Sequence, residues 1–196
     1  MKQTLNRRQA LKMITTTSLG AAVAASFGSS ALAEETNATP FSNRRSLENS
    51  LWVGPNLLSI LAEATTTGGA YTLFEISSPV GAIIAPHRHT REDEVIFMLE
   101  GELEITLNDV VSIAKPGDHC FMPRGNVHTF KVISPTPVRT LVMFTLGGLE
   151  GAYKQAGRPA ERLELPPTPA APTPEQRARV AEIFASYGYY ILPPTN

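Results

Sequence analysis

The chain has 196 residues, 42% of them apolar, which is enough for one domain with appendages and a real core. Lys2, Arg7, Arg8 and Lys12 lie in residues 1–33, which hold no acid, so the remainder sets 13 of the 17 basic residues against all 18 acidic ones. That acidic body lacks the positive surface that nucleic acid or an anionic membrane needs, and one cysteine, Cys120, excludes an intramolecular disulfide.

Residues 1–33 read as a signal peptide: a basic start, a weakly apolar stretch rich in Ala, Thr and Ser, and the small-x-small site Ala31-Leu32-Ala33. Arg7-Arg8, followed by Gln9, Ala10, Leu11 and Lys12, resembles the twin-arginine consensus. The expectation is a mature chain starting at Glu34, exported already folded to the periplasm or beyond, with no membrane partner after cleavage. Residues 34–50 are polar and aperiodic and read as a flexible arm.

From Leu51 to about residue 150 the chain turns to short β-rich runs, at 56–62, 70–77, 81–86, 94–99, 102–107, 109–113, 119–122, 127–134 and 137–146. Turn residues separate them, among them Asn108-Asp109, Pro116-Gly117 and Pro123-Arg124-Gly125. Many short strands with regular turns predict an all-β jelly roll or sandwich. Residues 151–196 form a C-terminal extension. Its segment LELPPTPAAPTP reads as a stiff, extended connector. A helix over about 174–187 follows, with Thr173 as N-cap, Pro174 at its first position, Gln176 closing a capping box and Gly188 stopping it. Val180, Ile183, Phe184 and Tyr187 make one apolar stripe. A helix this short must dock to persist.

The chemistry concentrates in GAIIAPHRHTREDEVIFMLEG, residues 81–101. His87 and His89 share a strand face, because side chains alternate. If the next strand pairs antiparallel with theirs, Glu94 folds back over both imidazoles, and two nitrogens with one carboxylate make a metal half-site. His128 opens another strand 39 residues past His89, so a folded sheet has to join them. In EVIFMLEG both faces are apolar: Glu94, Ile96 and Met98 face one way, Val95, Phe97 and Leu99 the other. The second face needs a cover. The C-terminal helix and a second subunit are the candidates, and a homodimer is expected.

Gly81, His87, His89, Glu94 and Gly101 fit the first cupin motif, G-x5-H-x-H-x4-E-x6-G, and Gly117, Pro123, Gly125 and His128 fit the second, G-x5-P-x-G-x2-H. Val132 stands where the second motif usually ends in Asn, a position that is not a ligand. The chain thus resembles cupins over roughly residues 50–165. More loosely, through TTGGAYTLFE, PHRH and GGLEGAYKQAGRPA, it resembles single-domain quercetin 2,3-dioxygenase-like cupins. The resemblance implies a double-stranded β-helix barrel in which His87, His89, Glu94 and His128 hold one divalent transition metal. Iron, manganese, nickel, copper and zinc all accept such a set, and open positions remain for substrate.

It also implies a dioxygenase acting on a flavonol-like or enol- or diketone-bearing small molecule, with Glu94 both ligand and catalytic base. A metal-dependent isomerase or decarboxylase, and a non-catalytic periplasmic metal or small-ligand binding protein, stand as alternatives. Ile83, Ile96, Met98 and Phe130 are expected to line an apolar interior.

Other polar residues read more plainly. His119 is a surface or supporting residue rather than a ligand. Glu92 and Asp93 read as a solvated turn, with orientation of a ligand histidine as the alternative. Glu75 is an outer-face charge, with the pocket as its alternative, and Arg124 is a turn residue. Cys120 reads as a small buried hydrophobe, with a reactive or ligating thiol as the alternative, and Met98, Met122 and Met143 as core filling, with pocket lining as theirs.

Overall fold

In β10 (Val138–Thr145) every second residue is buried, Val138, Thr140, Val142 and Phe144, the mark of a strand with one face on a core. The structure is a computed structural model that describes residues 38–167 and 171–193; the signal peptide read from residues 1–33 lies outside them. β10 sits inside a seven-stranded antiparallel sheet. Its other strands are β1 (Ser50–Val53), β2 (Asn56–Ala62), β3 (Tyr71–Ser78), β5 (Asp93–Glu100), β8 (His119–Met122) and β11 (Arg158–Pro159). The order is β11-β1-β2-β3-β10-β5-β8.

A second antiparallel sheet holds β4 (Ile83–His89), β6 (Leu103–Leu107), β7 (Val110–Ala114), β9 (His128–Val132) and β12 (Tyr189–Ile191), in the order β12-β4-β9-β6-β7. Between the sheets lies one apolar core, to which Phe74, Ile96, Met122, Val142 and Phe144 contribute from the first sheet and Leu103, Ile105, Phe130 and Val132 from the second. This is the double-stranded β-helix that the motifs imply. Asn108 and Asp109, at φ 46° and 67°, make the tight β6–β7 turn with two left-handed residues, which suits the strand twist.

Two expectations are corrected here. β4 and β5 do not pair; they lie in different sheets, and β5 pairs with β10 and β8. Glu94 therefore meets the histidines across the core rather than along a hairpin. The C-terminal helix, Pro174–Ser186, carries the expected capping box between Thr173 and Gln176. It does not cover the Val95–Leu99 face of β5. Phe184 instead joins the interior cluster, with Val180, Ile183 and Tyr187 packed against it. On the outer face of β5, Val95 is buried while Phe97 stays 40% exposed.

After the helix, Gly188 turns the chain into β12 at φ +89°. A Cβ there would stand 2.9 Å from the Thr90 hydroxyl. The Thr90 N–H donates to the Gly188 carbonyl at 2.9 Å, and β12 then pairs with β4, Tyr189 opposite His89 and Ile191 opposite His87.

Candidate metal centre

Alternation along β4 turns His87 and His89 inward, and each is 1% exposed. His128, the first residue of β9, pairs with His87 in register, and their ring centroids are 4.2 Å apart. From the opposite sheet β5 supplies Glu94, placed between Phe144 and Met122. All four side chains are buried, and one ligating atom from each lies within 4.8 Å of the others. Glu94 Oε2 is 2.9 Å from His128 Nε2, 3.2 Å from His89 Nε2 and 3.7 Å from His87 Nε2.

The outer ring nitrogens show how this set is aimed. His87 Nδ1 is 2.8 Å from the Ala85 carbonyl and His128 Nδ1 is 3.1 Å from the Asn126 carbonyl. A carbonyl only accepts, so each Nδ1 carries the proton and each Nε2 turns its other side to Glu94. A neutral imidazole so placed would set a lone pair against a carboxylate oxygen. The pair needs either a proton or a metal cation between, so the four residues fit a transition-metal ion by donor type, burial and convergence.

His89 differs. Its Nδ1 faces Glu92 Oε2 at 3.8 Å, beyond hydrogen-bond distance, and neither ring nitrogen nor that carboxylate oxygen has a hydrogen-bond partner among the described residues. Burial favours neutral His89, but Glu92 and Glu94 outweigh it and lift its pKa to about 9. Burial holds the His87 pKa down. For Glu94 burial acts upward, yet the three imidazoles keep it well below the usual carboxylate range.

Glu92 corrects the turn reading: it is only 4% exposed and stands behind a candidate ligand. Asp93 and Arg124 also do more than turn the chain. Asp93 accepts from the Arg124 N–H at 2.9 Å, its Nε at 3.0 Å and its Nη2 at 2.9 Å. This clamp ties the loop before His128 to the start of β5. Next in that loop, Gly125 at φ +84° donates its N–H to the His89 carbonyl at 2.6 Å.

A cavity of ≈ 980 Å³ opens from the cluster, with His87 and Glu94 among its lining. Its walls are largely apolar, including Leu58, Ile76, Ile84, Ile96, Phe130 and Val142, and the C-terminal helix closes one side through Val180, Ile183 and Phe184. Ile83 lines it too, but Met98 is buried in the core away from it. Tyr153 and Tyr189 also line the cavity, and burial raises the pKa of each, so both phenols stay protonated at neutral pH. Neither tyrosine was among the candidate residues read from sequence. The available signal was the β-prone run Tyr189-Tyr190-Ile191 after a glycine, too short to stand out.

His119 and Glu75 sit as expected, whereas Met143 does not fill the core, because alternation along β10 turns Val142 and Phe144 inward and Met143 outward. His119 is exposed and packs against Phe97, with ring centroids 5.0 Å apart. Glu75 pairs with Arg45 at 3.3 Å and Arg139 at 3.4 Å, away from the cavity. Cys120 is half-buried against the core, and burial pushes its thiol pKa up.

Residues 74–144 match the Cupin domain family. A quercetin 2,3-dioxygenase of Bacillus subtilis (strain 168) is 29% identical over 136 residues, covering 66% of this chain and 40% of that protein. Germin-like protein subfamily 2 member 1 of Arabidopsis thaliana is 32% identical over 99 residues, 48% of this chain and 44% of that one. The chain thus spans less than half the length of these curated relatives. Among solved structures, KdgF from Halomonas sp. aligns with TM-score 0.49 at 19% identity, over 56% of this chain and 96% of that one.

Proposed function

We propose that the protein is a metal-dependent dioxygenase whose substrate is a flavonol-like, or otherwise enol- or diketone-bearing, small molecule, a reading that the match of residues 74–144 to the Cupin domain family supports. The observation that carries this reading is the ≈ 980 Å³ apolar cavity that ends on His87 and Glu94. Small-molecule sites run to roughly 300–1,000 Å³, so this one takes a flat, multi-ring ligand. A sugar would need many hydrogen-bonding partners, whereas Leu58, Ile76, Ile96 and Val142 offer none from their side chains. Likeness to a quercetin 2,3-dioxygenase supports the choice over an isomerase or decarboxylase.

His87, His89 and His128, through Nε2, and Glu94 would hold the ion. Bound there, it supplies a cation that stabilises an enolate oxygen. Glu94 accepts the enol proton at a carboxylate oxygen, and the three imidazoles keep that carboxylate ionised. The apolar walls exclude water and hold the ligand's rings flat against them. The test is an oxygen electrode, with quercetin and simpler β-diketones, on protein loaded separately with iron, manganese, nickel and copper. The expected result is oxygen uptake matched by substrate loss with at least one metal; no uptake with any of them contradicts the reading.

Two further proposals concern the protein's setting. Arg7-Arg8 supports folded export, so changing both to Lys should hold the precursor in the cytoplasm. Phe97 and Phe121 stay exposed on the neighbouring strands β5 and β8, which supports a homodimer; light scattering should return twice the chain mass.

A further inference from the structure

This inference rests on the reading that an enol- or diketone-bearing ligand enters the cavity and sets one oxygen at the cluster, and it names what meets the ligand's other oxygen. Two tyrosines reach the cavity from outside both sequence motifs: Tyr153 on the helix Glu150–Ala156, and Tyr189 on β12. Both rings pack against other aromatic rings. Tyr153 stands edge-on to Phe74, at 4.9 Å and 68°, and to Phe184, at 5.0 Å and 88°. Tyr189 stacks on His87 at 4.4 Å and 9°, meets His89 edge-on at 4.7 Å, and packs on Phe184 at 4.9 Å.

Their hydroxyls are a different matter. Among the described residues, the hydrogen bond to a tyrosine hydroxyl is the one Gln155 donates to Tyr187 at 2.7 Å; those of Tyr153 and Tyr189 have none. Both tyrosines line the same apolar cavity as Glu94, and a phenol without a protein partner there can donate its O–H to a ligand.

We propose that Tyr153 and Tyr189 are substrate-binding residues whose O–H groups donate to a carbonyl or enolate oxygen of the ligand, so that the site selects molecules carrying a second oxygen besides the one held at the His/Glu cluster. A ligand with one oxygen satisfies the cluster and leaves both phenols unmet. A β-diketone or flavonol satisfies both ends. Tyr189 comes from the C-terminal segment, so the extension contributes to recognition as well as closing the cavity.

The test uses Tyr153→Phe and Tyr189→Phe, which keep each ring and delete one oxygen. Zinc-loaded, redox-inert protein is titrated with quercetin in a calorimeter without oxygen, and zinc content and melting temperature are measured alongside. Each variant should bind zinc and melt as wild type does, and bind quercetin about 3–10-fold more weakly, the worth of one hydrogen bond. Phe variants that bind quercetin as tightly as wild type overturn this proposal and leave the dioxygenase reading standing. Wild type that takes up zinc but binds neither quercetin nor 2,4-pentanedione overturns both. Variants that both lose zinc or melt several degrees lower also overturn the proposal, because the hydroxyls would then serve the fold.

Discussion

Phe184→Ala tests whether the C-terminal helix closes the cavity as described. Phe184 is 6% exposed and packs on Tyr153 and Tyr189 with centroids 5.0 and 4.9 Å away. Buried Phe→Ala changes cost about 3–5 kcal/mol. Phe184 already borders the cavity and lacks packing on that side, so the low end applies, about 3 kcal/mol. For a chain of this size roughly 2–4 °C is lost per kcal/mol, which gives a fall of about 6–12 °C. Differential scanning calorimetry on metal-loaded protein reads this directly. The same variant should also weaken chelator binding, because Tyr153 and Tyr189 lose a shared support. A melting temperature within about 2 °C of wild type, with chelator affinity intact, would refute a docked helix.

Other consequences follow from single residues. Glu94→Gln should preserve the fold while lowering turnover about 10²–10⁴-fold, measured by oxygen uptake. Glu92→Gln removes the charge 3.8 Å from His89 Nδ1 and should weaken metal affinity about 10–100-fold in a chelator competition. Gly188→Ala forces a side chain into φ +89° beside Thr90, and a thermal melt should show a loss of about 1 kcal/mol or more. The Arg124 side chain holds the Asp93 carboxyl well below its usual range. That carboxyl binds protons more weakly folded than unfolded, so its contribution is present above the unfolded value, near pH 4, and fades as pH falls through the depressed one. Arg124→Ala should therefore melt lower at pH 7, and its stability should decline less steeply than wild type's between pH 5 and pH 2.

The histidines and Glu94 were legible because their spacing is local. Two-residue alternation orients His87 and His89 whatever the topology, and the motif placed Glu94 and His128 beside them. How Glu94 arrives was not legible, since alternation says which face a residue takes and not which sheet its strand joins. Glu92 was hidden by its neighbours: Arg91-Glu92-Asp93 reads as solvated charge, and only the crossing between sheets buries its middle residue. The C-terminal helix showed its caps and stripe plainly, because those are short-range, but its docking site depends on β12, three residues whose pairing with β4 is decided by the distant partner strand. Tyr189 was missed for that reason.

The chemistry proposed for this site depends on one divalent metal ion held by His87, His89, Glu94 and His128. The direct measurement is metal content by elemental analysis of protein purified from its native compartment, followed by titration of metal-stripped protein with each candidate ion. About one ion per chain is expected in wild type, and far less in His87→Ala. Wild-type protein that carries no metal and takes up none on titration would contradict it.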